Sequence, residues 1–368
     1  MRLLTLSSLT PHTGNLFTAE RITRAVCGSS SESSLLDVST IPSADTLAEM
    51  LKAKEVDLVI GIHAFRAGRL LLECRVPYIL VLGGTDMNEH LRDPSKVDVI
   101  KAAMMQAAAI VAFNFTLYEA SMRVVPNAVA KVFIVPQSVN SPLFELSRTG
   151  NSTYIGDEER QSVRRALQLH MHSESDTNKR KSILLLLPAG LRPVKDVLWA
   201  AKVLHNWSVD EERLGGHRIL FRIVGPKLDE EYADKVIMTL NQIRLSDTLN
   251  NLAQMHTSPT VAYCGVLNQR ELHIAMAEAT AILNTSQSEG MCNSILEAMM
   301  LGTPVIARTN SGNSALINHE RDGLLASTPE ELVDCVRRII EPIERCKDLD
   351  APPEEAETGY NREISQLS

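Results

Sequence analysis

Short apolar runs recur along the first 136 residues: RLLTLSSL (2–9), VDLVIGI (56–62), PYILVLG (77–83), AIVAFN (109–114) and KVFIVP (131–136). Helical patterns lie between them, at 15–27, 43–54 and 94–107. The runs do not alternate strictly between apolar and polar positions, so both faces of each strand are expected to be covered. Strands of that kind, separated by helices, pair in parallel. The second half repeats the plan with SILLLLPA (182–189), HRILFRIVG (217–225), TVAYCG (260–265), TAILNTS (280–286) and TPVIA (303–307). The pattern predicts an α/β chain of two doubly wound, Rossmann-like domains in tandem. The carboxyl ends of their strands are then expected to face a central cleft, where ligands bind in such folds.

Pro, Ser, Asn and Gly cluster over 136–153, which sets the expected boundary: a first domain at 1–150 and a second at 151–345. A helix at about 157–169 precedes MHSESDTNKRK (171–181), which is polar, lacks periodicity and reads as a surface loop. From Pro342 onward the chain turns acidic and Pro-containing, and 346–368 is expected to be a mobile tail.

At 368 residues the chain exceeds what one compact core usually holds, in keeping with two domains. A hydrophobic fraction of 44% excludes wholesale disorder, and a net charge of −8 argues against a general nucleic-acid binder. The six cysteines show no CxxC pair and no metal-ligand spacing, which suits free thiols in a reducing compartment. No stretch approaches the ~18 to 20 uninterrupted apolar residues that span a bilayer, and the apolar run at 3–6 is too short for a signal segment. The expectation is a cytoplasmic protein without a transmembrane segment.

The chemistry concentrates in SEGMCNSILEAMMLGTPVIA (288–307). A strand ends near Ser286, a loop runs through Gln287–Cys292, and a helix is expected to begin near Asn293. Ile295, Leu296, Met299 and Met300 form one apolar stripe at helical spacing, and Asn293 and Glu297 share the other face. A helix start offers unpaired N–H groups and positive dipole to an anion, and Gly290 lets backbone approach closely. Glu289 and Glu297 beside such an anion suit hydroxyl groups, and a phosphate flanked by polyol describes a nucleotide sugar. The plainer alternative makes Glu289 an exposed loop charge and Glu297 a solvated helix residue. Earlier in this half, PAGLRPVKDV (188–197) ends a strand in a turn carrying Arg192 and Lys195. Both suit a diphosphate, Arg by bidentate contact and Lys as a point charge, unless both are simply solvated.

These motifs resemble the retaining, GT-B-fold glycosyltransferases of the "glycosyl transferases group 1" type, family 4. The matching pieces are the E-x7-E pair Glu289 and Glu297 within S-x-x-EG-x5-LEAM-x2-G-x-PV-x-A, the Arg192/Lys195 pair, and then ARTNSGNSALI (307–317) and DGLL (322–325). In the first half LGGTDMNEHL (82–91), HAFRAG (63–68) and PHTGN (11–15) stand where the family has a Gly-Thr-Asp turn, a His-bearing strand end and a Gly-rich loop. The chain departs from the family in its single Gly14, in an Arg-to-Lys spacing of three, in Asp196 where Gly is common, and in Met291-Cys292 after Glu-Gly.

The resemblance implies an acceptor-side first domain and a nucleotide-sugar donor domain second. It implies a hexosyltransferase-type reaction that retains anomeric configuration, with a nucleotide-diphosphate sugar as co-substrate, a hydroxyl acceptor the residues do not name, and no metal. Glu297 would take the donor ribose. Glu289 would lie beside the sugar, with the N–H groups of Gly290, Met291, Cys292 and Asn293 at sugar hydroxyls or phosphate. Arg192 and Lys195 would stabilise the departing diphosphate. His63 would face the donor sugar or be a structural strand-end residue. Asp86 would serve ligand binding or cap the next segment, and Gly14 would meet substrate or permit a tight turn. Two other readings stay open. One is a non-catalytic nucleotide-sugar-binding protein, motivated by PHTGN. The other is a nucleotide-sugar epimerase, for which His63 is the one proton-shuttling candidate.

Overall fold

The computed structural model describes residues 1–27, 32–140, 143, 155–169, 182–213, 216–250 and 258–348. The loop at 171–181, most of the boundary stretch at 136–153 and the tail beyond 348 lie outside them. Two compact units emerge: Met1–Ser138 with Ser288–Cys292 and Ser311–Leu316, and Val139–Gln287 with Asn293–Asn310 and Ile317–Ser368.

The first unit holds a six-stranded parallel sheet built from β1 (Arg2–Ser7), β2 (Glu32–Asp37), β3 (Leu58–Ile62), β4 (Tyr78–Val81), β5 (Ala109–Ala112) and β6 (Val132–Ile134), in the order β2-β1-β3-β4-β5-β6. Every apolar run of this half forms a strand. Leu4, Leu6, Val59, Leu80 and Ile110 pack on one face against Leu47, Leu51, Ile100 and Met104 of two helices. Ile60, Ile62 and Val81 point to the opposite face and meet Ala19. This alternation of faces with both sides covered explains why the strands carry no period-2 signal. The strand missed by the pattern, β2, reads ESSLLD and is half-buried or exposed along its whole length. It lies at the sheet edge and takes its register from β1, from Arg2↔Glu32 to Ser7↔Asp37. The helices begin as their caps require: Ser43 accepts the Thr46 N–H, Asp93 the Ser95 N–H and Asn114 the Leu117 N–H.

The second unit repeats the architecture with β7 (Ser182–Pro188), β8 (Arg218–Val224), β9 (Val261–Tyr263), β10 (Ala281–Asn284), β11 (Val305–Arg308) and β12 (Leu324–Ala326), all parallel, in the order β12-β11-β10-β7-β8-β9. Edge strand β12 falls in the DGLL motif, whose three-residue span is too short to register as an apolar run. In both sheets the strand order reverses once, between β1 and β3 and between β7 and β10. The crevice at such a reversal, beyond the carboxyl ends, is where doubly wound sheets bind ligands.

Two features of this unit run against ordinary preference. Arg222 on β8 is fully buried, and its guanidinium donates to the carbonyls of Leu167 (2.7 Å), Phe221 (3.0 Å) and Thr260 (3.2 Å). Burial pushes its pKa down to about 10, so the side chain remains charged at neutral pH. It ties the chain after the helix Asp157–Ala166 to the sheet. The helix Pro329–Asp348 runs through Pro342 and past the expected start of the tail at 346. Pro342 removes one backbone hydrogen bond, and burial of Leu332, Val333, Val336 and Ile340 holds the helix regardless. Among the described residues no helix is long and apolar enough to cross a membrane.

Gly225, directly after β8, has φ +150°, and a Cβ there would fall on the Ala189 carbonyl that opens the basic turn. Its own N–H donates to Gly265 O at 2.8 Å. Gly225→Ala is therefore expected to cost about 2 kcal/mol or more of stability, measurable as a lowered midpoint in urea unfolding.

Candidate functional site

The order reversal of the second sheet places two loops side by side. β7 and β10 pair at Ala281↔Leu185 and Ile282↔Leu186, so the chain leaving Pro188 and the chain leaving Asn284 emerge as neighbours. The first becomes the basic turn. Leu191 is buried, Arg192 is extended, and Pro193–Lys195 form one 3-10 turn closed by Lys195 N–H to Arg192 O at 3.0 Å. Arg192 and Lys195 thus stand at the two ends of one turn, and both are half-buried. Asp196 follows at φ +40°, the left-handed region, which accounts for the preference for Gly at this position. Its carboxylate accepts from Arg308 Nη1 (2.7 Å) and Gln287 Nε2 (3.2 Å). Arg308 in turn lies over the Trp199 ring, 4.9 Å from its centroid. The second loop is bonded directly to the turn: Thr285 Oγ1 donates to Lys195 O (2.8 Å) and Gln287 N–H to Val194 O (2.9 Å).

The helix Asn293–Met300 carries Glu297, and here the structure corrects the sequence reading. Glu297 is 5% exposed and shares the buried side with Ile295 and Ala298, while Leu296, Met299 and Met300 of the expected stripe are only half-buried. The solvated-helix alternative is overturned. Glu297 Oε1 accepts from Gln269 Nε2 at 2.9 Å, and His273 Nε2 lies 3.8 Å from Oε2. Gln269 and His273 stand one turn apart on the helix Gln269–Glu278, with their Nε2 atoms 2.7 Å apart. Neither was singled out in the sequence. The available signal was two polar residues at i, i+4 on the helix that also buries Ile274, Ala275 and Met276.

Ser288–Cys292 group with the first unit. Asn88 Nδ2 donates to Glu289 O (3.0 Å) and Asn114 Nδ2 to Gly290 O (2.8 Å). Gly290 lies so close to Gly84 that a Cβ on it would stand 2.6 Å from the Gly84 Cα. The close approach that Gly290 permits is therefore made to another segment of the chain. Glu289 and Met291 are half-buried, Asn293 is half-buried at the helix start, and Cys292 is buried at 7% exposure.

The remaining first-unit candidates follow three strands of their own sheet: Gly14 after β1, His63 after β3 and Asp86 after β4. Gly14 is the exposed first residue of the helix Gly14–Val26, and the left-handed turn before it falls on His12, at φ +57°. The tight turn expected of Gly14 is thus made two residues earlier. His63 follows β3 with φ +81° and is 5% exposed. Asp86 is fully buried and acts as a cap: its carboxylate accepts the N–H groups of Ala64 (2.6 Å), Phe65 (3.1 Å) and Gly83 (3.1 Å). These bonds organise the loop around it. Burial alone would push this carboxyl up, but the facing imidazoles of His63 and His90 and the Phe65 N–H hold it well below the usual carboxylate range.

The "Glycosyl transferases group 1" family profile matches residues 192–342, from the basic turn through the helix after β12. The chain is 30% identical over 341 residues to "Glycosyltransferase 1 domain-containing protein 1" of Xenopus tropicalis, covering 92% of this chain and 88% of the relative. Among solved structures it is similar to Anabaena Alr3699/HepE in complex with UDP-glucose, at 14% identity, with a TM-score of 0.65 over 100% of this chain and 99% of that one. It is likewise similar to sucrose-phosphate synthase of Thermosynechococcus elongatus, at 14% identity, with a TM-score of 0.67 over 100% of this chain and 94% of that one. These likenesses identify the two parallel six-stranded sheets as a GT-B fold. With a relative of this identity spanning nearly its whole length, the chain belongs to the glycosyl transferases group 1 family.

Proposed function

We propose that the chain transfers a sugar from a nucleoside-diphosphate donor to a hydroxyl acceptor, retaining anomeric configuration and without a metal at the diphosphate. The observation that carries this reading is the junction at the second order reversal. There the Arg192–Lys195 turn is hydrogen-bonded to the loop leading into the helix with Glu297. Family membership supports the reaction class, and the UDP-glucose held by HepE supports a uridine diphosphate sugar as the first donor to test.

Glu297 suits the ribose because its carboxylate is held in place before a ligand arrives. Gln269 occupies Oε1, which fixes the group's orientation and leaves acceptor capacity for a hydroxyl pair. The N–H groups through Gly290–Asn293 and Glu289 are assigned to phosphate and sugar hydroxyls. Arg192 and Lys195 act on the leaving group. As the glycosidic bond breaks, charge grows on the diphosphate, and cations fixed in place stabilise that charge more than the ground state. Asp196 and the Arg308 behind it hold the end of the turn, so Lys195 need not be ordered during the reaction. Free thiols at Cys74, Cys264 and Cys335 support a cytosolic setting.

Arg192→Ala is expected to lower kcat by about 100- to 1,000-fold, the loss typical of one transition-state donor, with a smaller change in donor affinity. Steady-state kinetics and calorimetry with UDP-glucose separate the two effects, and unchanged turnover would sink the reading. Glu297→Gln keeps the shape of the side chain but gives up its charged acceptor, so donor binding should weaken by about tenfold or more. NMR of the product anomer tests retention, and an unchanged rate on adding Mg2+ or Mn2+ tests the metal-free diphosphate.

A further inference from the structure

His63, Asp86 and His90 converge in the first unit on one buried carboxylate oxygen. His63 Nδ1 lies 2.9 Å and His90 Nδ1 3.5 Å from the same atom, Asp86 Oδ1, and the three ligand atoms all fall within 4.8 Å of one another. Both nitrogens are buried, and neither has a partner in hydrogen-bonding geometry.

Asp86 Oδ2 is occupied by the Ala64 and Gly83 N–H groups, whereas Oδ1 takes only the Phe65 N–H and keeps a lone pair on the imidazole side. Those N–H bonds are the kind of outer support that orients a ligating carboxylate. The left-handed backbone of His63, at φ +81°, is a strained conformation for a residue with a side chain, and the bonds to the next two N–H groups hold it. Phe65 meets the His90 ring edge-on, centroids 5.2 Å apart, and walls one side. Cation bonds of about 2.0 to 2.2 Å in a tetrahedral shell set ligand atoms about 3.3 to 3.6 Å apart. The His90–Asp86 separation lies within that range and the His63–Asp86 separation falls short of it, so a bound cation would require the His63 ring to draw back from the carboxylate.

We propose that His63, Asp86 and His90 bind one divalent transition cation, with zinc the best match to two imidazole nitrogens and a carboxylate. Calcium and magnesium prefer all-oxygen shells and do not fit this donor set. Three protein ligands leave one coordination position for water or another small ligand. The proposed cation takes no part in neutralising the diphosphate, which the transferase reading assigns to Arg192 and Lys195.

The test uses the full chain, stripped with chelator and titrated with Co2+ as a visible probe and with Zn2+ by calorimetry. One equivalent of Co2+ is expected to bind with d–d absorption, to be displaced by Zn2+, and Zn2+ is expected to raise Tm. His90→Gln should lose that equivalent and the Tm rise, while His12→Asn, at an exposed histidine elsewhere, should keep both. Binding below one equivalent in the wild type, or full binding in His90→Gln, overturns the proposal. Should His90→Gln not fold, X-ray absorption of the zinc-loaded wild type decides. Two imidazole ligands with oxygen are expected, and a shell of oxygen alone or of sulfur overturns it. Every readout is metal binding rather than sugar transfer, so failure here and failure of the transferase reading are distinguishable.

Discussion

Two hydrogen bonds, Thr285 Oγ1 to Lys195 O and Gln287 N–H to Val194 O, hold the second-unit site together. They exist because β10 lies beside β7 although the two are far apart in the chain. A parallel sheet that grows outward from β7 through β9 and then returns to β7's other side must send two loops out of adjacent strand ends. Those loops have backbone groups that no strand satisfies, and each becomes the other's partner. The basic turn is thereby fixed by backbone.

Buried carboxylates organise both units, by different means. Asp86 collects three backbone N–H groups and faces two imidazoles, so its burial stabilises a loop that would otherwise leave donors unpaired. Glu297 is held by a side chain, Gln269, at one oxygen. The first arrangement satisfies one carboxylate oxygen with two backbone bonds and turns the other toward two imidazoles, whereas the second fixes one oxygen through a single side chain. Similar acids with similar burial are thus set in different surroundings.

Arg222 shows the same logic with the opposite charge. Removed from water, its guanidinium donates through Nε and Nη1 to three carbonyl oxygens while Nη2 is buried without a partner, so losing any of those oxygens would be costly. That requirement binds the segment after the helix Asp157–Ala166 to β8 and to the residue preceding β9. The sheet edge nearest that segment is set by donor geometry as much as by apolar packing.

Ten of the twelve strands, the doubly wound class and the positions of Arg192, Lys195, Glu289 and Glu297 after strand ends were legible in the sequence. Strands covered on both faces must be apolar throughout, and loops between elements must carry turn residues; both are local requirements written into consecutive positions. Strands β2 and β12 were not legible, because an edge strand borrows its register from a neighbour and needs little apolar character of its own. The burial of Glu297 and its bond to Gln269, the left-handed turn at His12 beside Gly14, and the convergence of His63, Asp86 and His90 were decided by tertiary structure. Each depends on which elements become neighbours, and that is settled by strand order and helix packing, to which residue spacing along the chain is blind.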